Sequence, residues 1–239
     1  MRHRPCVDLD LNGLQVQSHV GLRWLLFYLK LHLHLAQDGD VDVLPSAMPE
    51  PDQRSVRLCK GARMAENPDE PRVALGGCLA YGNILLDSSK LAMVAVKAKR
   101  AATPSHPNPR STTWYGQLVL CFTVSYVGRP LKLCLVRWLD RAGAVSERVV
   151  AAASAPQRAA VRAAEQTRMA RLRSAPFTAY RWEVAIGSTA NGHPAAGTPH
   201  YSVVDASHIM YNAPMICAYG SRPCDADPTF FLNTDMWDL

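Results

Sequence analysis

The sequence lacks the short patterns that define most catalytic and metal-binding protein classes. It has no C-x-x-C pair, no G-x-S-x-G elbow, no H-E-x-x-H segment and no N-x-S/T glycosylation site. Its seven cysteines are odd in number and widely scattered, so neither a disulfide framework nor a zinc site is indicated. We therefore predict reduced thiols and an intracellular protein of the nucleus or cytoplasm, with no cofactor.

Long hydrophobic runs are also missing. The most apolar stretch, Leu22 to Ala36, is interrupted by one Arg, one Lys and two His, and it is too short to cross a bilayer. Asp8 and Asp10 precede it, whereas a signal peptide begins with basic residues. The sequence predicts a soluble protein without a membrane partner.

What the chain does have is an uneven distribution of charge. The net charge is +6, yet residues 111–180 alone carry ten basic and three acidic side chains, and residues 181–239 carry two and six. Clustered Lys and Arg attract phosphates, although an Arg-rich protein can also hold such charges on an ordinary solvated surface. The basic middle segment therefore permits a nucleic-acid partner without requiring one.

The amino-terminal part has weak structural signals, and we expect residues 1–72 to be loosely ordered. Leu29 to Leu35 alternates leucine with polar residues, which predicts a half-buried strand, but a helix starting near His19 would also include this segment. The region therefore contains a strand or a helix at 22–36. Residues 45–72 are rich in Pro and charge, which favours a loop or linker for most of them.

The strongest structural signal is a β-hairpin. The runs Leu118–Val124 and Leu131–Leu139 are apolar and β-branched, and the segment Val127–Pro130 between them has turn composition. Both faces of the second run are largely apolar, which is typical of a central strand or a small barrel. Shorter candidate strands lie at the following segments: 73–86, 91–96, 180–186, 201–204, 215–219 and 230–232.

One helix is predicted at 154–176, with its regular part from Gln157 to Arg173. The part from Gln157 to Arg173 is rich in Ala, Arg and Gln and contains no helix-breaking residue. Pro156, which precedes it, suits a first helical turn. The segment has few large apolar residues, so it can bury only a thin stripe. The predicted fold is mainly β (α+β), a small antiparallel barrel-like or sandwich core at 73–239 with this helix inserted.

Two constellations are candidates for chemistry. His32 and His34 share a face if the segment is a strand, and both could then reach a metal, although two imidazoles alone do not make a site; a solvated face is favoured. Asp205 and His208 are three residues apart and could act as a carboxylate–imidazole base, although Asp205 is expected to cap the following turn instead. Gly187–Gly192 has phosphate-loop spacing but His193 where the lysine is needed.

For nucleic-acid binding the candidates are basic residues in two groups. The predicted helix contains Arg158, Arg162, Arg168, Arg171 and Arg173, and a second cluster consists of Lys97, Lys99 and Arg100. Trp114, Tyr115 and Trp182 are expected to be exposed and able to stack on bases. A strand end that leads into a Pro-rich loop would explain the second cluster equally well.

Four short segments resemble a known family. They are Trp114–Leu118, Leu135–Leu139, Val203–Asp205 with Ile209, and Phe230–Asn233, and in this order they are similar to the β-rich tail behind transposase cores of the Kyakuja-Dileera-Zisupton type. The segment around Arg137 also resembles bromo-adjacent homology modules. The resemblance implies a β-barrel-like accessory module of mobile-element origin that acts near DNA or a transposase core, without catalytic residues of its own.

Three functional hypotheses follow. The first is a non-enzymatic interaction module with weak, sequence-independent affinity for nucleic acid. The second is a small hydrolase or transferase that uses Asp205 and His208. The third is a decayed mobile-element fragment without a selected function. The sequence does not determine the oligomeric state.

Overall fold

The fold is mainly β, as predicted, and is built around one long hairpin. The computed structural model describes residues 8–13, 19–37, 44–59, 61–63, 79–81, 92–97, 113–142, 155–173, 178–182, 194, 198–213, 215–217 and 228–232. Twelve strands and three helices lie in these ranges: β1 Asp8–Asp10, α1 Val20–Arg23, α2 Leu25–Leu35, β2 Ser55–Cys59, β3 Gly61–Arg63, β4 Leu79–Tyr81, β5 Met93–Lys97, β6 Thr113–Tyr126, β7 Arg129–Arg141, α3 Arg158–Arg173, β8 Ala179–Trp182, β9 Tyr201–Asp205, β10 Ile209–Asn212, β11 Met215–Cys217 and β12 Thr229–Leu232.

The predicted hairpin is confirmed as β6 and β7, and a two-residue turn joins them. Val127 and Gly128 both have positive φ, of 50° and 69°, as in the tight turns that match the twist of paired strands. Val127 is β-branched and disfavours this conformation. The Asp52 carboxylate accepts hydrogen bonds from the backbone N–H groups of Val127 and Gly128, each at 2.8 Å, and from the Ser125 hydroxyl at 2.7 Å. Asp52 thus stabilises a turn whose conformation Val127 disfavours.

The described residues divide into two compact units. The first unit contains β6, β7 through Trp138, and the strands that pair with them. On the outer edge of β6, β2 and β5 pair with its two halves, and on the outer edge of β7 the partner is β9. β9 leads through a 3₁₀ turn, Ala206–His208, into β10, which pairs with β5. These pairings are all antiparallel and give the strand order β10–β5–β6–β7–β9, and because the turn Ala206–His208 joins β9 to β10, we call this set of strands the ring.

Both faces of the hairpin are buried, as its composition predicts. Inside the ring lie Val94, Val96, Trp114, Leu118, Cys121, Cys134, Val136, Trp138, Val204 and Ile209. On the opposite face α1 and α2 pack against leucines and other apolar residues of β2, β6, β7 and β9. Because each face has its own cover, a strand such as β6 can be apolar on both sides without exposing a patch to water.

The strand predicted at Leu29–Leu35 is wrong, because this segment is part of α2. Leu25, Leu29 and Leu33 are buried at a spacing of four, whereas Leu35 is 42% exposed. The alternative of a helix from near His19 is the one that the structure has. Within residues 45–72, which were expected to form mostly loop, Ser55–Cys59 forms β2 and buries Val56 and Leu58 in the core.

The second unit includes the end of β7 from Leu139 onward, and its sheet continues through β8, β12 and β11. Trp182 packs edge-to-face on Phe230 with 5.2 Å between ring centroids. The predicted helix also belongs to this unit and is confirmed as α3. A 3₁₀ turn, Ala155–Gln157, precedes α3.

Candidate functional sites

The basic helix α3 is the first candidate site. Its sixteen residues include five arginines and one glutamate. Every α3 side chain whose exposure the structure describes is exposed, from Arg158, Ala159 and Ala160 through Arg162, Ala163 and Ala164 to Gln166, Thr167 and Ala170. These nine positions are not stabilised by burial, and the helix propensity of Ala, Arg and Gln favours the helix there.

The structure describes some of the predicted basic residues in more detail than others. Arg158 and Arg162 are exposed and four residues apart, so they lie on the same side of the helix. Arg168, Arg171 and Arg173 lie in the last turns of the same helix. Of the second basic cluster, Lys97 is exposed at the end of β5, and Lys99 and Arg100 lie outside the described residues.

The expectation that the tryptophans are exposed is wrong. Trp114 is 1% exposed and belongs to the interior of the ring, and Trp182 is 9% exposed against Phe230. Tyr115 is half-buried. Alternation in a strand places adjacent residues on opposite faces, and at this end of β6 Trp114 lies on the face that lines the ring, whereas Tyr115 lies on the other face. These two tryptophans are therefore not available to stack on bases.

The second candidate site is a polar seam between α1–α2 and β9, which we define by His19, Tyr28, His32, Tyr201 and Asp205. The Tyr201 ring contacts His19 edge-on with 5.8 Å between centroids, and Tyr28 at 6.1 Å. Gly21 is needed for this approach, because a Cβ there would lie 2.7 Å from Tyr201 Cε1. The Tyr28 hydroxyl and His19 Nδ1 are buried without a hydrogen-bond partner among the described residues.

Burial is the main cause of the pKa shifts of His19, Tyr28 and Tyr201 in the seam. It lowers the pKa of His19, and the nearby Arg137 guanidinium lowers the pKa of that imidazole further. Burial also raises the pKa values of Tyr28 and Tyr201, while Arg137 partly opposes the rise at Tyr201. All three side chains therefore favour their neutral forms near neutral pH.

The structure brings His32 of the seam close to Asp205 and His208, although the sequence suggested two separate pairs, His32 with His34 and Asp205 with His208. Burial lowers the pKa of His32, although the Asp205 carboxylate and a hydrogen bond to the Val203 carbonyl act in the opposite direction. Burial raises the pKa of Asp205, but hydrogen bonds from Ser207 and the charges of His208 and His32 outweigh this effect and lower the pKa overall. A helical assignment of Leu22–Ala36 would have placed Tyr28 and His32 on one face.

The pairing of His32 with His34 on one face is wrong, because residues two apart on a helix point about 200° away from each other. Within the described ranges, no group of three His, Cys, Asp or Glu side chains is arranged to hold a metal ion. The glycine-rich segment Gly187–Gly192 lies outside those ranges.

Asp205 caps the turn that follows it, as the sequence analysis favoured. Its Oδ1 accepts a hydrogen bond from the Ser207 backbone N–H at 2.8 Å and from the Ser207 hydroxyl at 2.6 Å. The cap fixes the turn Ala206–His208 that joins β9 to β10. Catalysis by Asp205 and His208 stays a prediction.

Comparison with known proteins adds no relative. No family model, no curated protein and no solved structure matches the chain. None of the described helices is long and apolar enough to cross a membrane.

Proposed function

We propose that the protein is a non-enzymatic binding module that contacts the phosphate backbone of nucleic acid through α3. The observation that carries this proposal is the exposure of all the described α3 side chains on a helix with five arginines. A guanidinium binds phosphate through parallel N–H donors and is always charged near neutral pH. Arg158 and Arg162, which are exposed and four residues apart on α3, are suited to contact a phosphate backbone.

The proposed contact is independent of base sequence. Trp114 and Trp182 are buried, so the stacking expected of them does not contribute. Binding through phosphates alone releases counterions and weakens as salt rises. A module of mobile-element origin, as the resemblance to transposase tails implies, would act beside DNA in this way.

The test compares two charge-matched double variants by fluorescence anisotropy on a short DNA duplex of arbitrary sequence at low salt. R158Q/R162Q removes two exposed charges from α3, and R129Q/K132Q removes two exposed charges from β7. Glutamine keeps helix propensity close to that of arginine, so the first variant changes charge with little effect on the helix.

We expect R158Q/R162Q to weaken DNA binding several-fold and R129Q/K132Q to leave it near the wild-type value. Equal weakening by both variants would show that charge anywhere on the surface is sufficient. An absence of binding at low salt by the wild-type protein would remove the proposal. A single-stranded oligonucleotide of the same length serves as a second ligand, and comparable affinity for it is expected from phosphate contacts.

A further inference from the structure

Three cysteines form a row across the sheet of the first unit, which we call the thiol row. Cys59 on β2 pairs with Cys121 on β6, and Cys121 pairs with Cys134 on β7. Residues directly opposite on antiparallel strands have their side chains on one face, and all three cysteines contact the same core cluster inside the ring. The Cys134 thiol donates a hydrogen bond to Cys121 Sγ across 3.7 Å.

The row runs from the interior of the sheet toward solvent. Cys121 and Cys134 are 2% and 0% exposed, whereas Cys59 is half-buried. Cys59 Sγ lies 3.6 Å from Thr123 Oγ1 and 4.0 Å from the Arg57 carbonyl oxygen. Among the three thiols, a small oxidant dissolved in water therefore reaches Cys59 first.

We propose that the thiol row is an oxidation site, in which Cys59 reacts with a peroxide and passes the oxidation inward to give a Cys121–Cys134 disulfide. In the first step the Cys59 sulfur attacks one peroxide oxygen, the O–O bond breaks, and hydrogen peroxide yields one water and a Cys59 sulfenic acid. The sulfur is oxidised by two electrons and the peroxide is reduced by two.

The second step forms a disulfide within the row. The Cys121 sulfur attacks the Cys59 sulfur, the S–O bond breaks, and hydroxide leaves as water with the proton of the Cys121 thiol. In the third step Cys134 attacks the Cys121 sulfur and displaces Cys59, which regains a proton as a free thiol. The sum is two thiols and one peroxide converted to one disulfide and two waters.

Geometry favours the inner pair as the end point. A disulfide bond is about 2.05 Å long, so the Cys121 and Cys134 sulfurs, already in contact at 3.7 Å, need to approach by less than the width of one atom. Cys121 and Cys134 are closed to solvent, so a dissolved oxidant does not reach them directly, and the half-buried Cys59 is needed as the entry point.

The experiment treats the full-length protein with hydrogen peroxide, blocks remaining thiols with N-ethylmaleimide in denaturant, and maps tryptic peptides without reduction. Cleavage after Arg57, Lys60, Arg110, Lys132 and Arg137 releases the three cysteines on separate peptides, because Lys60 and Arg110 lie between Cys59 and Cys121 and Lys132 lies between Cys121 and Cys134. The Cys59–Cys121 and Cys121–Cys134 links therefore differ in mass.

For the wild-type protein we expect the Cys59–Cys121 link to appear first and the Cys121–Cys134 link to replace it. In C59S the inner link should form about tenfold more slowly, because buried thiols are shielded from the oxidant. C217S is the matched control, since Cys217 is also half-buried but lies on β11 in the second unit, and it should behave as the wild type does.

Three outcomes would overturn the proposal. Formation of the inner link at the same rate in C59S and wild type would show that Cys59 is not the entry point. Conversion of Cys59 to sulfinic acid, or no reaction at any of the three cysteines, would show that the row does not transmit oxidation. C59S and C217S each replace a half-buried thiol by serine. Neither substitution alters a fully buried core residue, so a core packing defect does not affect the comparison.

Discussion

At the scale of single residues, the sequence does not show where the backbone lies very close to another element. Gly116 and Gly21 have no obvious turn context, yet Gly116 faces Val136 and the Arg137 backbone, and Gly21 faces the Tyr201 ring. Sequence reasoning identified the hairpin that contains Gly116, but contact between strands is set by register, and register is a property of the folded pair.

Replacement of Gly116 by alanine should destabilise the protein. A Cβ there would lie 2.5 Å from Val136 Cγ1 and 2.6 Å from the Arg137 carbonyl oxygen, and the carbonyl belongs to a paired strand that cannot move freely. We expect the free energy of unfolding to fall by about 1–3 kcal/mol, the range for overpacked cores, as measured by urea denaturation. G13A is the control, because a Cβ at Gly13 meets no atom within 4 Å. An equal effect of the two substitutions would contradict the described register of β6 and β7.

The buried imidazoles should make stability depend on pH. Burial holds the pKa values of His32 and His19 below 6.5 in the folded protein. The unfolded chain therefore takes up protons first as pH falls, so this contribution to stability is present above pH 6.5 and decreases below it. Asp205 and His208 face His32, and Arg137 faces His19.

The measurement is the urea midpoint at about pH 7.5 and about pH 5.5, on either side of the ordinary histidine pKa. We expect a lower midpoint at the lower pH, and a smaller difference between the two in H19Q/H32Q, in which neither side chain titrates. A double variant with the full wild-type dependence would assign the effect to other groups.

At the scale of elements, the predictions of secondary structure were correct where the sequence pattern fitted one type of element, and wrong where the hydrophobic pattern fitted both a strand and a helix. The runs of β6 and β7 and the Ala- and Arg-rich composition of α3 each favour one type of element, and the structure confirms them. Leu29–Leu35 fits a period of two over seven residues, but Leu25, Leu29 and Leu33 also fit a helix. The segment adopts the helical repeat because α2 packs on one face of the sheet along β9. This is a long-range contact, and no local sequence pattern contains it.

Helix α3 should fold and function as an element separate from the β core, because its described side chains are exposed. A164P introduces proline into the helix interior, where it disfavours helix by about 3 kcal/mol. We expect reduced helical circular dichroism and weaker DNA binding, with an unchanged midpoint for thermal loss of the tryptophan signal. A164S is the matched control at the same exposed position. A large drop in the midpoint for A164P would show that α3 supports the core.

At the scale of the whole molecule, the covered faces of the hairpin predict a graded pattern of amide exchange. Amides of β6 and β7 near Leu120 and Leu135 are fully buried and should exchange slowest, whereas those of α3 should exchange fastest among the regular elements. Hydrogen–deuterium exchange with mass spectrometry reads both segments. Uniform fast exchange along the chain would favour the hypothesis of a decayed fragment without a selected function.

The site was predictable only in part. Composition identified the arginines of α3, because charge and helix propensity are local properties. The burial of Trp114 and the meeting of His32 with Asp205 depend on pairings between distant segments, and the sequence contained no marker for them. The basic segment 111–180, followed by an acidic segment at 181–239, remains the most informative global feature, since clustered basic residues attract phosphates.

The salt dependence of DNA binding tests the central claim most directly. Because each phosphate contact contributes about −0.9 to the slope of log K against log salt concentration, R158Q/R162Q should have a slope shallower than the wild type by about two. R129Q/K132Q, which removes the same charge from β7, should keep the wild-type slope. Wild-type binding that does not change with salt, or equal slopes for wild type and R158Q/R162Q, would contradict phosphate recognition through α3.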